Sequence, residues 1–261
     1  MLNKPLRILV SNDDGVHAHG IKVLERIAQT LSDDVWVVAP EMEQSGAAHS
    51  LTLRRPLRVN KISPRRFSVD GTPTDCVMVA ISEVLKEQKP TLLLSGINHG
   101  ANMGEDVTYS GTVAAAMEAT LLGVPAIALS QVTKHGQHVK WATAEHFAPG
   151  IIQKLLEAGI PKGTLININF PNLVTASVKG VEVVSQGLRN IRDSLIKWTD
   201  PRGVPFYWIG GAERDDSPTE VRTDLEAIQN GYISVTPLHL DLTNKSALEE
   251  LDRAFEEGLS E

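Results

Sequence analysis

Asp13 and Asp14 stand side by side at the end of the apolar run Ile8-Leu9-Val10-Ser11, with Asn12 before them and Gly15 after. Two adjacent carboxylates repel each other unless a cation or a shared proton relieves them. The run before them, Arg7–Ser11, reads as a strand, and ligands of open α/β sheets bind at the carboxyl ends of strands. We therefore read Asp13 and Asp14 as holders of a metal ion and as the catalytic candidates. The competing reading of the same residues is a turn followed by a helix cap.

Three later segments have the same form, a polar, glycine-containing stretch directly after an apolar run. They hold Ser45 and Gly46; Asp70, Gly71 and Asp75; and Asn98, His99, Gly100 and Asn102, this last followed by Tyr109-Ser110-Gly111-Thr112. In a parallel sheet such loops share one edge and converge although they are distant in sequence. Each has a plainer reading. Ser45 is an ordinary loop serine, Asn98 can occupy a left-handed turn beside Gly96 and Gly100, and Asp75 is a helix N-terminal charge. His17, His19, His49 and His99 read as solvated loop histidines. Ser110, Gly111 and Thr112 lead into Val113-Ala114-Ala115-Ala116. Small residues at a helix entrance expose backbone N–H groups that suit a phosphate, although a routine Ser/Thr cap fits equally well.

Carboxylates, an amide carbonyl and a hydroxyl are hard oxygen donors, suited to magnesium or manganese rather than to structural zinc. The chain has no HExxH, no Walker pattern and no GxGxxG after its first strand, which disfavours a dinucleotide site.

The elements that must position these residues alternate. Apolar, β-branched runs at 7–11, 35–39, 67–69, 92–97, 126–132 and 165–170 read as strands. Helical spacing covers 21–31, 112–122 and 142–156, and a capped helix opens with Thr72, Pro73 and Asp75 and runs to about Leu85. This β-α rhythm predicts an α/β fold, a Rossmann-like and mostly parallel sheet with helices on both faces. Residues 51–60 depart from it as an extended arm, and 187–218 as a projecting β-hairpin turned at Asp200-Pro201-Arg202-Gly203. The aromatics of that hairpin, Trp198, Tyr207 and Trp208, cap the site, meet another subunit or pack on their own domain. A short helix at 223–230, a strand at 233–237 and a terminal helix at 247–255 complete the chain. Residues 1–186 read as the metal- and phosphate-binding core, and 187–261 as a hairpin and C-terminal segment within one domain overall.

With 261 residues the chain can bury a full core, and a net charge of −7 argues against nucleic acid polymers or an anionic membrane as partners. Cys76 is the single cysteine, which excludes an intrachain disulfide and favours a reducing compartment. Pro5 and Arg7 interrupt the N-terminus, and the apolar stretch 113–129 contains Glu118, Gly123 and Pro125. No membrane span is expected, and the cytoplasm is the default location.

In their order and spacing these motifs resemble the SurE family of metal-dependent 5′-nucleotidases. The match rests on Ile8 to Gly15, Val38-Ala39-Pro40, Gln44-Ser45-Gly46, Asp70 to Cys76, Ser95 to Asn102, Tyr109 to Glu118, Thr223-Asp224 and Gly231 to Leu238. The resemblance implies one divalent cation per subunit, magnesium or manganese, ligated by Asp13, Asp14, Ser45 and Asn98. It places Asn12, Ser110, Gly111 and Thr112 near the phosphate. It implies hydrolysis of nucleoside 5′-monophosphates to nucleoside and phosphate, with 3′-nucleotides and short polyphosphate as further substrates of some relatives, in a homodimer or homotetramer. Three rivals stand beside it. An aspartyl-phosphate enzyme would use Asp13 as nucleophile, whereas enzymes of that type carry Asp-x-Asp. A phosphate sensor would have no use for two extra negative charges. In a purely structural domain the acidic pair would be a turn.

Overall fold

The computed structural model describes residues 5–134, 136–190, 195–209, 213–214 and 222–258. Its centre is a run of six parallel strands: β1 (Arg7–Ser11), β2 (Asp34–Pro40), β4 (Arg66–Val69), β5 (Leu92–His99), β6 (Ala126–Gln131) and β7 (Thr164–Phe170). In space they lie β4-β2-β1-β5-β6-β7. Counted along the parallel strands alone this is the order 3-2-1-4-5-6 of the doubly wound dinucleotide-binding fold, whose strand order reverses between β1 and β5. β3 (Val59–Ser63) extends the sheet as an antiparallel edge. At the other edge β13 (Ile233–His239) runs antiparallel to β7, and β8 (Val181–Val183) lies parallel to β13.

Successive side chains of a strand point to opposite faces, so a strand covered on both sides must be apolar throughout. Ile8 and Val10 join the core beneath α1 (His19–Leu31) and α5 (Trp141–Ala158), while Leu9 joins the core beneath α2 (Pro73–Val79) and α4 (Gly111–Leu121). The helical spacing at 21–31 does what it predicts: Ile21, Leu24, Ile27 and Ala28 are buried against the sheet. Gly20 lets the start of α1 press on β5, since a Cβ there would sit 1.9 Å from the Ile97 carbonyl oxygen. Helices therefore cover both faces of a mostly parallel sheet, as the β-α rhythm predicts.

Several expectations change in detail. The capped helix at 72 has the expected box, with Thr72 Oγ1 accepting from the Asp75 amide and Asp75 accepting from the Thr72 amide. It does not stay α-helical to Leu85, because residues Ala80–Val84 form a π-type turn closed by the Leu85 N–H on the Ala80 carbonyl at 2.8 Å. Residues 51–60 do not project as an arm. Only β3 is a strand there, and the preceding stretch is stitched to the turn beside it, with the Arg58 amide on Asp70 at 2.6 Å and the Thr52 amide on Asp75 at 3.1 Å. β5 runs to His99 instead of Ile97, because after an irregularity beyond Ser95 it pairs again with β6 at Asn98 and His99.

Beyond residue 186, the short strands β9 (Arg189–Asn190) and β12 (Glu213–Arg214) pair antiparallel. Between them β10 (Leu195–Thr199) and β11 (Pro205–Ile209) form the hairpin, turned where Asp200 accepts from the Arg202 and Val204 amides at 2.8 Å. Every residue of β10 and β11 is exposed. The remainder of the expected 187–218 segment, residues 191–194, 210–212 and 215–218, lies outside the described residues. β13, from beyond the same point, is a full member of the main sheet. α6 (Asp224–Gln229) precedes it and α7 (Lys245–Gly258) follows it. No helix among the described residues is long and apolar enough to cross a membrane.

Candidate active site

The point where the strand order reverses is also where the acidic pair sits. β1 delivers Asp13 and Asp14, and its neighbour β5 delivers Asn98 and His99. The loop after β2 delivers Glu43, Ser45 and Gly46, and the short helix α3 (Asp106–Tyr109) with Ser110 closes the ring. These residues, with Ala101 and Asn102, line a cavity of about 380 Å³. A larger hollow of about 840 Å³, between Val107, Met117 and Pro237, has no carboxylate among the described residues of its lining.

The turn after β1 is tightly specified. The Asn12 amide donates to the Gly15 carbonyl at 2.9 Å, the Val16 amide to the Pro40 carbonyl at 2.8 Å, and the Gln44 amide to the Asp13 carbonyl at 2.8 Å. The last bond lashes the Ser45 loop to the acidic pair. Asp13 is 5% exposed, and Thr112 Oγ1 donates to one of its oxygens. Gly111 makes that approach possible, because a Cβ there would lie 2.7 Å from the Asp13 Cβ and 3.0 Å from its Oδ2. The first turn of α4, whose peptide dipoles favour negative charge, thus rests directly on Asp13. Ser110 caps the same helix by accepting from the Val113 amide at 3.1 Å. Asp14 is half-buried and accepts from the His99 backbone amide at 3.2 Å.

Burial pushes the Asp13 carboxyl up to about 6 from an ordinary 3.8, against the pull of the Thr112 hydroxyl and with a further push from Asp14. Burial also raises Asp14, opposed by the His99 amide and reinforced by Glu43. Among the described residues no lysine or arginine forms an ion pair with either acid. The pair is an uncompensated negative site.

The residue types around it fit a hard divalent cation. Asn98 donates its amide nitrogen to the Gly100 carbonyl at 3.2 Å, so its carbonyl oxygen is the free end. Ser45 donates to Glu43 at 2.7 Å, which leaves the lone pairs of its oxygen available. Among the described residues no three His, Cys, Asp or Glu side chains converge as a metal cluster. Two carboxylates with a hydroxyl and an amide are the kind of sparse oxygen set that magnesium accepts, since it keeps several waters and takes substrate phosphate oxygens as well.

Of the residues singled out in the sequence, Asp13, Asp14, Ser45, Asn98 and Ser110 line the cavity together. Asn12, Gly111 and Thr112 do not line it. Asn12 is fully buried as a brace for the turn, and Gly111 and Thr112 are packed behind Asp13. Asp75 accepts from the amides of Thr52 and Thr72 and serves the neighbouring loop. The converging segments read from the sequence include Asn102 and Tyr109 without giving either a role, and they do not single out Glu43 or Asp106, which also line the cavity. For Asn102 a signal existed: Asn167 and Asn169 interrupt the apolar run of β7 on one face. In the structure the Asn102 amide donates to Asn169 Oδ1 at 2.9 Å, and the Asn167 and Asn169 amides return to the Asn102 carbonyl at 2.8 and 3.1 Å. The loop that lines the cavity is thereby pinned to the sheet.

Residues 8–193 match the model of the family described as Survival protein SurE. The chain belongs to the SurE family. It is 60% identical over 250 residues to the 5′-nucleotidase SurE of Paramagnetospirillum magneticum, covering 96% of each chain. To the 5′-nucleotidase SurE of Parvibaculum lavamentivorans it is 56% identical over 257 residues, covering 97% of this chain and 92% of the relative. The crystal structure of the SurE protein from Aquifex aeolicus superposes with a TM-score of 0.83 at 44% identity, over 95% of this chain and 99% of that one. The SurE assignment therefore spans the acidic pair, the Ser45 loop, the end of β5 and the start of α4, all within the matched region.

Proposed function

We propose that this chain is a metal-dependent 5′-nucleotidase, a phosphoric monoester hydrolase that converts nucleoside 5′-monophosphates to nucleoside and phosphate. The observation that carries this reading is the buried, unpaired Asp13 beside Asp14 at the reversal point of the sheet, with a capped helix start against it. The relatives named above, 5′-nucleotidases over nearly the whole length, support it. The ligands are Asp13, Asp14, Ser45 and Asn98, with one magnesium or manganese ion per subunit. Asn12, Ser110, Gly111 and Thr112 form the phosphate side, Ser110 by contact and the other three by bracing. Activity on 3′-nucleotides and short polyphosphate, a homodimeric or homotetrameric assembly and a cytoplasmic location belong to the same proposal.

A bound divalent cation supplies positive charge to a phosphoryl oxygen and makes a water more acidic. The chain's own groups do the rest. Thr112 and the start of α4 hold Asp13 in one orientation, and the His99 amide does the same for Asp14. The Ser110 hydroxyl lies at the cavity wall, where it can donate to phosphoryl oxygens as charge redistributes. Water attacks phosphorus in line, its oxygen forms the new P–O bond, and a carboxylate of the pair accepts the proton of the water; the bond to the nucleoside O5′ breaks with its electron pair going to O5′, which takes up a proton so that the nucleoside leaves as the alcohol.

The test is phosphate release from AMP, GMP, CMP and UMP with EDTA and after addition of Mn²⁺ or Mg²⁺. Release should vanish in EDTA and return with the metal. D14N should lower turnover by about a hundredfold or more with an unchanged circular dichroism spectrum. Full turnover by D14N, or by the untreated enzyme in EDTA, refutes the reading.

A further inference from the structure

The side chain of one cavity-wall residue has no task in this chemistry. His99 is exposed at the end of β5 and lines the cavity, while its backbone amide is occupied by Asp14. Its imidazole lies against Trp141, the ring centroids 6.1 Å apart and tilted by 45°. His19 is also close to Trp141, with ring centroids 5.4 Å apart and a tilt of 40°. Three separate elements meet here: the start of α1, the end of β5 and the start of α5.

Trp141 is the fixed member. It is half-buried and packs on the core beneath α1 and α5, and its ring edge stands 3.4 Å from where a Cβ of Gly20 would be. The imidazole thus lines the cavity with the indole near it. The ring is joined through its own backbone to the N–H that holds Asp14. Because His99 and the acidic pair line one cavity, a molecule whose phosphate sits at the pair can bring its next group to this ring. A flat, apolar-faced group gains by stacking there, whereas a bare sugar does not.

We infer that His99, backed by Trp141, is the specificity-determining platform on which the substrate's nucleobase stacks, and that it favours purine over pyrimidine monophosphates because the larger ring covers it more fully. This rests on the nucleotidase reading and adds to it the recognition of the base.

The experiment compares kcat/KM for AMP with that for ribose 5-phosphate, which has the same phosphate and sugar and no base. The holoenzyme is assayed with Mn²⁺ as wild type, H99A, H99F and Y109A. Tyr109 is the control because it also lines the cavity and is 59% exposed. The AMP to ribose 5-phosphate ratio is expected to fall about five- to tenfold in H99A, through KM, and to be kept in H99F. The AMP to CMP ratio should fall in parallel. An unchanged ratio in H99A overturns the inference, as does a fall in Y109A in place of H99A. An equal fall in H99A and H99F would mean that the imidazole hydrogen-bonds and does not stack, and it also overturns it. If neither substrate is hydrolysed with Mn²⁺, the nucleotidase reading falls and the platform with it; if both are hydrolysed, only the platform is on trial.

Discussion

Replacing Asp13 with Asn should make the metal-free protein more stable at neutral pH while abolishing its phosphatase activity. Asp13 is 5% exposed and its carboxyl is raised to about 6, with burial as the main cause. In the unfolded chain the same group titrates near the ordinary 3.8. The folded state therefore holds its proton longer, and stability is lost as the pH rises from about 4 to about 6, then stays at the lower level. The gap of about two units corresponds to roughly 3 kcal/mol at neutral pH. An asparagine does not titrate there, and it still accepts the Thr112 hydroxyl. The assay is urea unfolding followed by circular dichroism in EDTA, at about pH 4.5 and about pH 7.5 and at one protein concentration. D13N should lie above wild type by up to about 3 kcal/mol at the higher pH, with the difference shrinking at the lower one. Mn²⁺ at about a thousand times its dissociation constant should reverse the order, since it stabilises the wild type by about 4.1 kcal/mol and D13N by little. A D13N protein that is no more stable than wild type in EDTA at the higher pH would refute the claim that this carboxylate is a buried, uncompensated charge.

Three further outcomes follow from the same geometry. G111A would place a Cβ 2.7 Å from the Asp13 Cβ, so α4 must shift. We expect a loss of about 1–3 kcal/mol by thermal or urea unfolding and a lower kcat. N169A leaves the buried Asn102 amide without its partner at 2.9 Å, which should cost about 1–3 kcal/mol and raise KM, because the pinned loop lines the cavity. D224N puts an amide NH2 where a carboxylate accepts from the Gly104 amide at 3.0 Å and the Gly187 amide at 2.9 Å. Hydrogen exchange at 104 and 187 should accelerate, with a stability loss of about 1–3 kcal/mol.

The regular elements of the core could be read from local pattern alone. In β1, β2, β5 and β6 both faces are covered, so the strands appear as mainly apolar runs, although Ser11, Ser95, Ser130 and Gln131 are buried within them. The spacing of Ile21, Leu24, Ile27 and Ala28 marked α1 for a similar reason. Thr72, Pro73 and Asp75 marked the start of α2, because a cap and its capping box lie within four consecutive residues. What local pattern could not show were features that depend on a distant partner. The extra two residues of β5 exist because Asn98 and His99 find Ser130 and Gln131 on β6. The stretch 51–60 folds down because Asp70 and Asp75 supply acceptors that no count of Leu, Arg and Val contains.

The site divides in the same way. Residue type and adjacency marked Asp13 and Asp14 as the candidates for holding a cation, since two neighbouring carboxylates repel wherever the chain places them, and the order of the motifs pointed to the family. Only the tertiary structure decided which residues touch the cavity and which stand behind it. Asn12 and Thr112 carry the same kinds of polar groups as Asn98 and Ser110, yet one pair braces the acidic turn and the other lines the cavity. That choice belongs to the crossing of β1, β5 and α4, where hydrogen-bond partners up to 99 residues apart in sequence meet within a few ångströms.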